Sequence, residues 1–261
     1  MNTVISQDGT VIAYDKIGSG KPLILVDGAL CYRTFGPMPN FARLLAKHFT
    51  VYYYDRRGRG DSTNGKDYTP EREVEDISGL IREAGGSAFV FGISSGAALA
   101  MKAAESGLNI LKLALYEPPY VYEKNSPQST IDHGAQLLAL LAAGRRGEAV
   151  KYFMVKMVGA PAIFGFIMQL MPVFKKLKAV AHTLPYDAAI MGNFTVPADR
   201  ISTIKIPTLI AGGGKSPATL QNAVHAVSKA LPNGTRRILD GQTHNVKAEV
   251  LVPELIQFFN S

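Results

Sequence analysis

Ala88-Phe89-Val90-Phe91-Gly92-Ile93-Ser94-Ser95-Gly96-Ala97-Ala98-Leu99-Ala100-Met101 decides the fold. Ala88–Phe91 is a short continuous apolar run, the pattern of a strand covered on both faces. The spacing after it predicts a helix over Ser95–Glu105, opened by small and aliphatic helix formers. Between the two stands G-x-S-x-G, from Gly92 to Gly96. A strand that turns at once into a helix forces a sharp corner, and glycines without side chains let the two elements approach closely. Ser94, at the centre, is expected in a strained turn that projects its hydroxyl above the sheet. The first turn of the helix supplies free N–H groups and a positive dipole end. This is the placement a nucleophilic serine needs. In a chain with 25 glycines a bare G-x-S-x-G is common; its position directly after a buried strand argues against coincidence. Ser95 is a rival hydroxyl but lies off centre, so its backbone N–H is expected to matter more than its side chain.

Strand and helix signals alternate on both sides of this corner. β-rich runs occur at Val11–Tyr14, Leu23–Val26, Val51–Tyr54, Leu111–Tyr116, Thr208–Ala211 and Arg236–Leu239. Helical patterns occupy Asn40–Lys47, Glu71–Glu83, Ala218–Ala230 and Lys247–Phe259. Apolar strands alternating with helices imply an α/β fold with a mostly parallel sheet covered on both faces. The alternation breaks between about Tyr120 and Arg200, where the chain is helix-like, rich in Met, Phe and Leu, and punctuated by Pro and Gly. The domain reading is therefore a core of residues 1–119 and 201–261 with a helical cap at 120–200. Such an insertion sits at the carboxyl ends of the strands, where open α/β sheets bind ligands, with Gly and Pro near its ends as hinges.

The elbow at Gly92–Gly96, the strand-ending Leu25-Val26-Asp27-Gly28-Ala29, the turn Tyr54-Asp55-Arg56-Arg57-Gly58-Arg59-Gly60-Asp61-Ser62 and the late loop Gly241-Gln242-Thr243-His244 together resemble the α/β-hydrolase fold family over nearly the whole chain. The resemblance implies an eight-stranded, mostly parallel sheet, a helical cap and no cofactor. It does not fix a substrate, because the fold hosts many chemistries. It also implies that Leu25–Ala29 is the oxyanion loop, with the N–H groups of Ala29 and Ser95 as the donors a developing alkoxide requires. The sequence departs from the commoner pattern in carrying Asp27 where a histidine usually precedes the glycine. Asp27 is read as a loop anchor rather than a substrate contact, and Gly28 and Leu30 are placed with it near the substrate.

A serine hydroxyl needs an adjacent base, usually histidine. His48 closes a helix, where a cation suits the dipole. His225 falls inside a helical pattern, and His133 and His182 lie in the cap. Only His244 follows a late strand in a loop at the expected edge, and it is taken as the general base. The family's acid commonly follows the strand ending here at Ala211, but the chain reads Gly212-Gly213-Gly214-Lys215-Ser216-Pro217 without a carboxylate. Ser216-Pro217 reads as an N-cap followed by proline at the first helical position. Glu117, in Tyr116-Glu117-Pro118-Pro119 at the end of the preceding strand, is the substitute acid; Asp187, Asp199 and Asp240 are weaker candidates. Some branches of the family place their acid there, among them the resorcylate-lactone hydrolases, which also show an Asp-Gly oxyanion loop and a Ser-Ser-Gly elbow. An alternative is that Glu117 only anchors the cap.

Composition narrows the class. The chain has 261 residues, 47% of them apolar, and a net charge of +7. The short basic clusters at Arg56, Arg57 and Arg59 and at Lys175, Lys176 and Lys178 are read as solubility rather than a nucleic-acid face. No metal cluster or dinucleotide fingerprint stands out. The single cysteine, Cys31, has no intrachain partner; that, with an N-terminus lacking a basic start and a long apolar run, favours a cytoplasmic protein. Met157–Phe174 is almost entirely apolar and touches the lower length of a membrane span. Pro161, Gly165, Gln169 and Pro172 interrupt it, so it is read as a helical cap over an apolar pocket, without stable insertion; surface contact with a membrane stays open. The leading functional expectation is a serine esterase or lactonase acting on a small or medium apolar substrate through an acyl-enzyme. The same residues are compatible with carbon–carbon bond hydrolysis or cofactor-free haloperoxidase-like chemistry, and with a non-catalytic ligand sensor. Oligomeric state is left open.

Overall fold

Residues 1–261, apart from the side chain of Phe164, are described by a computed structural model. Eight strands form one sheet in the order β1-β2-β4-β3-β5-β6-β7-β8. They are β1 (Asn2–Ile5), β2 (Val11–Ile17), β3 (Pro22–Val26), β4 (Thr50–Tyr54), β5 (Ala88–Ile93), β6 (Ile110–Tyr116), β7 (Thr208–Gly213) and β8 (Gly234–Leu239). The β1–β2 and β2–β4 pairs are antiparallel. All remaining pairs are parallel. β1 has no counterpart in the sequence reading. It is a short edge strand that leaves Asn2, Thr3 and Ile5 exposed, so it carries neither an apolar run nor a clean alternation.

The period-two direction of strand side chains separates two cores. Leu23 and Leu25 of β3 face α1 (Met38–Leu45) and α11 (Ala248–Asn260), in a cluster with Phe41, Phe91 and Phe259. Ile24 and Val26 face the other way, toward α2 (Pro70–Glu83) and α3 (Ser95–Glu105), in a cluster with Ile77, Leu99 and Leu115. Every central strand is therefore apolar on both faces, which explains its continuous apolar sequence.

Between β6 and β7 the chain forms only helices: α4 (His133–Ala142), α5 (Arg146–Tyr152), α6 (Ala162–Ile167), α7 (Val173–Ala179), α8 (Leu184–Met191) and α9 (Ala198–Ile201), with short 3-10 turns among them. A π-helical turn over Phe153–Met157 continues α5. α8 packs on α4 and on α3, the helix that follows Ser94. After β7, α10 (Ala218–Ala230) begins one residue later than Ser216-Pro217 suggests. Pro217 takes an extended ψ of 145° and is itself the N-cap, and the Ser216 hydroxyl is buried without a hydrogen-bond partner among the described residues.

Candidate active site

The carboxyl ends of β3, β5, β6 and β8 bring four loops to one place. Ser94 follows β5 with φ 56° and ψ −127°. For a residue with a Cβ that conformation costs roughly 1–3 kcal/mol. Its surroundings hold it there: Ser94 N–H donates to Tyr116 O at 2.9 Å, and Ser94 O accepts from Ala97 N–H at 2.9 Å. The two motif glycines permit the corner. A Cβ on Gly92 would stand 2.4 Å from Gly96 O, and one on Gly96 would stand 2.3 Å from Val26 O. The start of α3 is thus pressed against the end of β3.

His244 and Glu117 meet the serine there. His244 Nε2 lies 3.2 Å from Ser94 Oγ, and His244 Nδ1 lies 2.7 Å from Glu117 Oε2. With the ring proton on Nδ1, donated to the carboxylate, Nε2 is left to accept from the serine hydroxyl. Glu117 is fully buried, at 0% exposure, and sits at φ 45°. Its second oxygen, Oε1, accepts from Gly213 N–H at 2.7 Å, and its own N–H donates to Ala211 O at 3.0 Å. The last residue of β7, a glycine, therefore contributes a backbone donor to the carboxylate. Tyr116 OH donates to Thr243 O at 2.7 Å and ties the histidine's loop to the end of β6. The weaker acid candidates lie elsewhere: Asp187 pairs with arginines, while Asp199 and Asp240 are exposed and bond no ring nitrogen of His244.

The loop after β3 also approaches Ser94. A Cβ on Gly28 would stand 3.2 Å from Ser94 Cβ. Among the described residues the N–H groups of Ala29 and Ser95 donate to no protein acceptor, and Ser95 is the first residue of α3, where such donors are free. Leu30 is buried, with φ 62°. Asp27 is buried too. Its Oδ1 accepts from Gly28 N–H at 2.8 Å, while Oδ2 has no partner among the described residues. Burial pushes its carboxyl up to about 7, against the pull of the Gly28 N–H and the Arg59 and Arg56 guanidiniums. Asp27, Gly28 and Leu30 are not among the residues lining the cavity.

Arg56, Arg57 and Arg59 overturn the solubility reading of their cluster, since each is only 1% exposed. Arg57 pairs with Asp76 and Asp8. Arg56 binds Glu73 through Nε and Nη2, at 2.6 and 2.8 Å. Its Nη1 reaches Asp187 Oδ1 of α8 at 2.8 Å. Arg59 Nη2 takes the other Asp187 oxygen at 2.7 Å, and its Nη1 donates to Gly28 O at 2.7 Å. Ser95 Oγ donates to Asp187 Oδ1 at 2.7 Å. Burial alone would raise the Asp187 carboxyl; Arg59 and Arg56 hold it below the usual carboxylate range. One carboxylate thus fastens the Ser95 side chain directly and the Gly28 carbonyl through Arg59. The signal available in the sequence is the density of arginines in one turn; Asp187, which Arg56 and Arg59 share, lies more than a hundred residues away.

A cavity of about 550 Å³ opens over Ser94 and His244. Its apolar wall includes Pro119, Val121, Phe153, Met157, Met191, Phe194 and Leu220, and Tyr122, Glu123 and Lys156 supply polar edges. His133 lies behind Tyr122, with Nε2 3.1 Å from the Tyr122 hydroxyl and Nδ1 2.9 Å from that of Tyr152. Burial lowers its pKa, which favours the neutral ring that two hydroxyl partners suit. His225 is exposed beside Arg236, and His48 is exposed at the end of α1. Among the described residues no group of three or more His, Cys, Asp or Glu side chains is arranged to hold a metal ion.

A strained serine turn at the carboxyl edge of a mostly parallel eight-stranded sheet, with a helical insertion between β6 and β7, defines a class of hydrolase fold. Residues 18–250 match the alpha/beta hydrolase family, and the chain belongs to that family. An alpha/beta hydrolase from Sphaerobacter thermophilus is 49% identical, with 99% of this chain and 100% of that one covered at a TM-score of 0.92. An enol-lactonase from Burkholderia xenovorans is 19% identical, with both chains covered fully, at 0.74. A meta-cleavage product hydrolase from Pseudomonas fluorescens is 16% identical, with 100% of this chain and 97% of that one covered, at 0.68. The two distant likenesses establish the fold alone. A comparison with curated proteins finds no match.

Proposed function

We propose that the protein is a serine hydrolase that cleaves a small or medium apolar ester or lactone through an acyl-enzyme. The observation that carries this reading is the continuous relay from Glu117 through His244 to Ser94, at 2.7 and 3.2 Å, under an apolar cavity. His244 Nε2 removes the hydroxyl proton as Ser94 Oγ attacks the substrate carbonyl. The carbonyl π electrons move to oxygen, and the N–H groups of Ala29 and Ser95 receive the oxyanion. As the intermediate collapses, the imidazolium returns its proton to the leaving alkoxide. Water, deprotonated by the same imidazole, then releases the acid and regenerates Ser94. Glu117 keeps the imidazole in the productive tautomer and balances the imidazolium charge without taking its proton.

A cavity of about 550 Å³ suits a ligand of modest size. The sensor alternative drew its support from the missing carboxylate after β7, and a carboxylate against His244 Nδ1 removes that support.

The test is a panel of short- and medium-chain aryl esters and lactones, with fluorophosphonate labelling in parallel. Turnover and labelling in the wild type, both lost in Ser94→Ala, are expected. A wild type that neither turns over the panel nor takes the label would overturn the reading.

A further inference from the structure

The outer face of the cap combines two features that the catalytic reading leaves unused. Ile163, Phe166, Ile167, Leu170 and Met171 are 65, 59, 50, 78 and 46% exposed. Ile163, Phe166 and Ile167 stand on α6, Leu170 ends the 3-10 turn that follows it, and Met171 is the next residue. Several large apolar side chains exposed within one short stretch mark a contact site on a folded protein. Around it the charge is almost entirely of one sign. Arg145, Arg146, Lys151, Lys175, Lys176 and Lys178 flank the segment in sequence, with Glu148 the single acid between Gly144 and Ala179, and Glu148 is already paired with Arg145. The cations adjoin the apolar ridge in space. The Lys151 stem passes over α6, where a Cβ on Gly165 would meet its Cγ at 3.2 Å. Gln169, within the ridge, shares an open hollow of about 600 Å³ with Arg145, Arg146, Lys175 and Lys178.

We propose that this face docks on an anionic phospholipid surface, with the apolar ridge in the headgroup boundary and the cationic hollow against lipid phosphates. The chemistry of the rim selects this occupant. A two-fold pairing of two copies through the same patch would set each cationic rim against the other, which is repulsive. An anionic bilayer instead matches the apolar ridge and the cationic rim together. The segment lies on the surface and does not cross it: α6 and its following turn are bracketed by Pro161 and Pro172, and among the described residues no helix is long and apolar enough to span. The docked orientation also has a consequence for the cavity. Lys156, Met157, Val158 and Gly159 line it and lead directly into the ridge, and Val158 is itself 50% exposed. The mouth of the cavity therefore opens beside the lipid surface, where apolar esters concentrate.

The test is co-sedimentation of the purified full chain with sucrose-loaded vesicles, which reads binding independently of any hydrolysis. Vesicles of phosphatidylcholine with about 30 mol% phosphatidylglycerol are expected to bind at least about tenfold more protein than phosphatidylcholine alone, with the difference shrinking as salt rises. K175E/K176E and, separately, F166S/L170S are each expected to lower binding about tenfold or more while keeping the wild-type melting temperature. Equal binding to both vesicle types, no binding to the anionic vesicles, or wild-type binding by either double variant would overturn the proposal. So would a wild-type dimer in sedimentation velocity that F166S/L170S turns into a monomer, since the patch would then be a self-contact.

Discussion

At the scale of single residues, what separates a reactive serine from an ordinary one is the state of its neighbours. Ser94 Oγ lies 3.2 Å from Nε2 of an imidazole whose other nitrogen meets a fully buried carboxylate. Glu117→Gln tests the carboxylate with little change of shape. The amide oxygen can still accept from Gly213 N–H, but the amide NH2 then faces His244 Nδ1. That favours the tautomer with its proton on Nε2, which donates to Ser94 instead of accepting from it. The expected result in ester hydrolysis is a fall in kcat of about 10³–10⁴-fold with KM changed little, as for other triads that lose their orienting acid. Turnover near the wild-type rate would show that Glu117 only braces the mouth of the cap. Ser94→Gly probes the same corner thermodynamically. Glycine accepts φ 56° and ψ −127° without the steric penalty, so the variant is expected to be more stable by about 1 kcal/mol in urea unfolding. A loss of stability would mean that the serine side chain contributes more through its contacts than its backbone conformation costs.

At the scale of elements, the important joint lies between α8 and the two loops that flank Ser94. Asp187 is 0% exposed and contacts Arg56, Arg59 and Ser95 Oγ. Asp187→Asn leaves Arg56 its Glu73 partner, but Arg59 keeps only neutral acceptors: Thr183 Oγ1, Gly28 O and Cys31 O. Removing one member of a buried ion pair costs roughly 3–5 kcal/mol, so a melting temperature about 10 °C lower is expected. A drop of less than about 2 °C would show that the guanidiniums find other partners. This joint also marks how far the sequence could be read. The elbow, the central strands and the approximate spans of α2, α3 and α10 were legible because their determinants are local: period, glycine spacing and apolar runs. Glu117 was within reach because the resemblance limits where an acid can stand, and the end of β6 is one such place. Asp187 was not, because nothing near α8 shows that a carboxylate there meets arginines that follow β4. The same arginines looked like surface charge, since composition cannot distinguish a solvated guanidinium from one enclosed by carboxylates. β1 is not legible in the sequence because an exposed edge strand has no apolar face to repeat.

For the whole molecule, stability against pH follows from which carboxyl groups burial leaves uncompensated. Asp187 is held low by two guanidiniums, whereas Asp27, buried with only one oxygen hydrogen-bonded, is pushed up to about 7. Above roughly pH 4 the unfolded chain has given up the Asp27 proton while the folded chain retains it. Between about pH 4 and pH 7 the folded state therefore binds more protons at this site, so its contribution to stability falls as pH rises and levels off above about 7. The slope from one such group cannot exceed about 1.4 kcal/mol per pH unit. Asp27→Asn removes the titration, and its amide oxygen can still accept from Gly28 N–H. Urea unfolding of both proteins across this range is expected to show the variant gaining on the wild type as pH increases. A constant difference between the two across the window would mean that Asp27 ionises like an exposed carboxylate, and that its charge is stabilised inside the loop by more than the Gly28 N–H, the Cys31 thiol and the adjacent Arg56 and Arg59 guanidiniums.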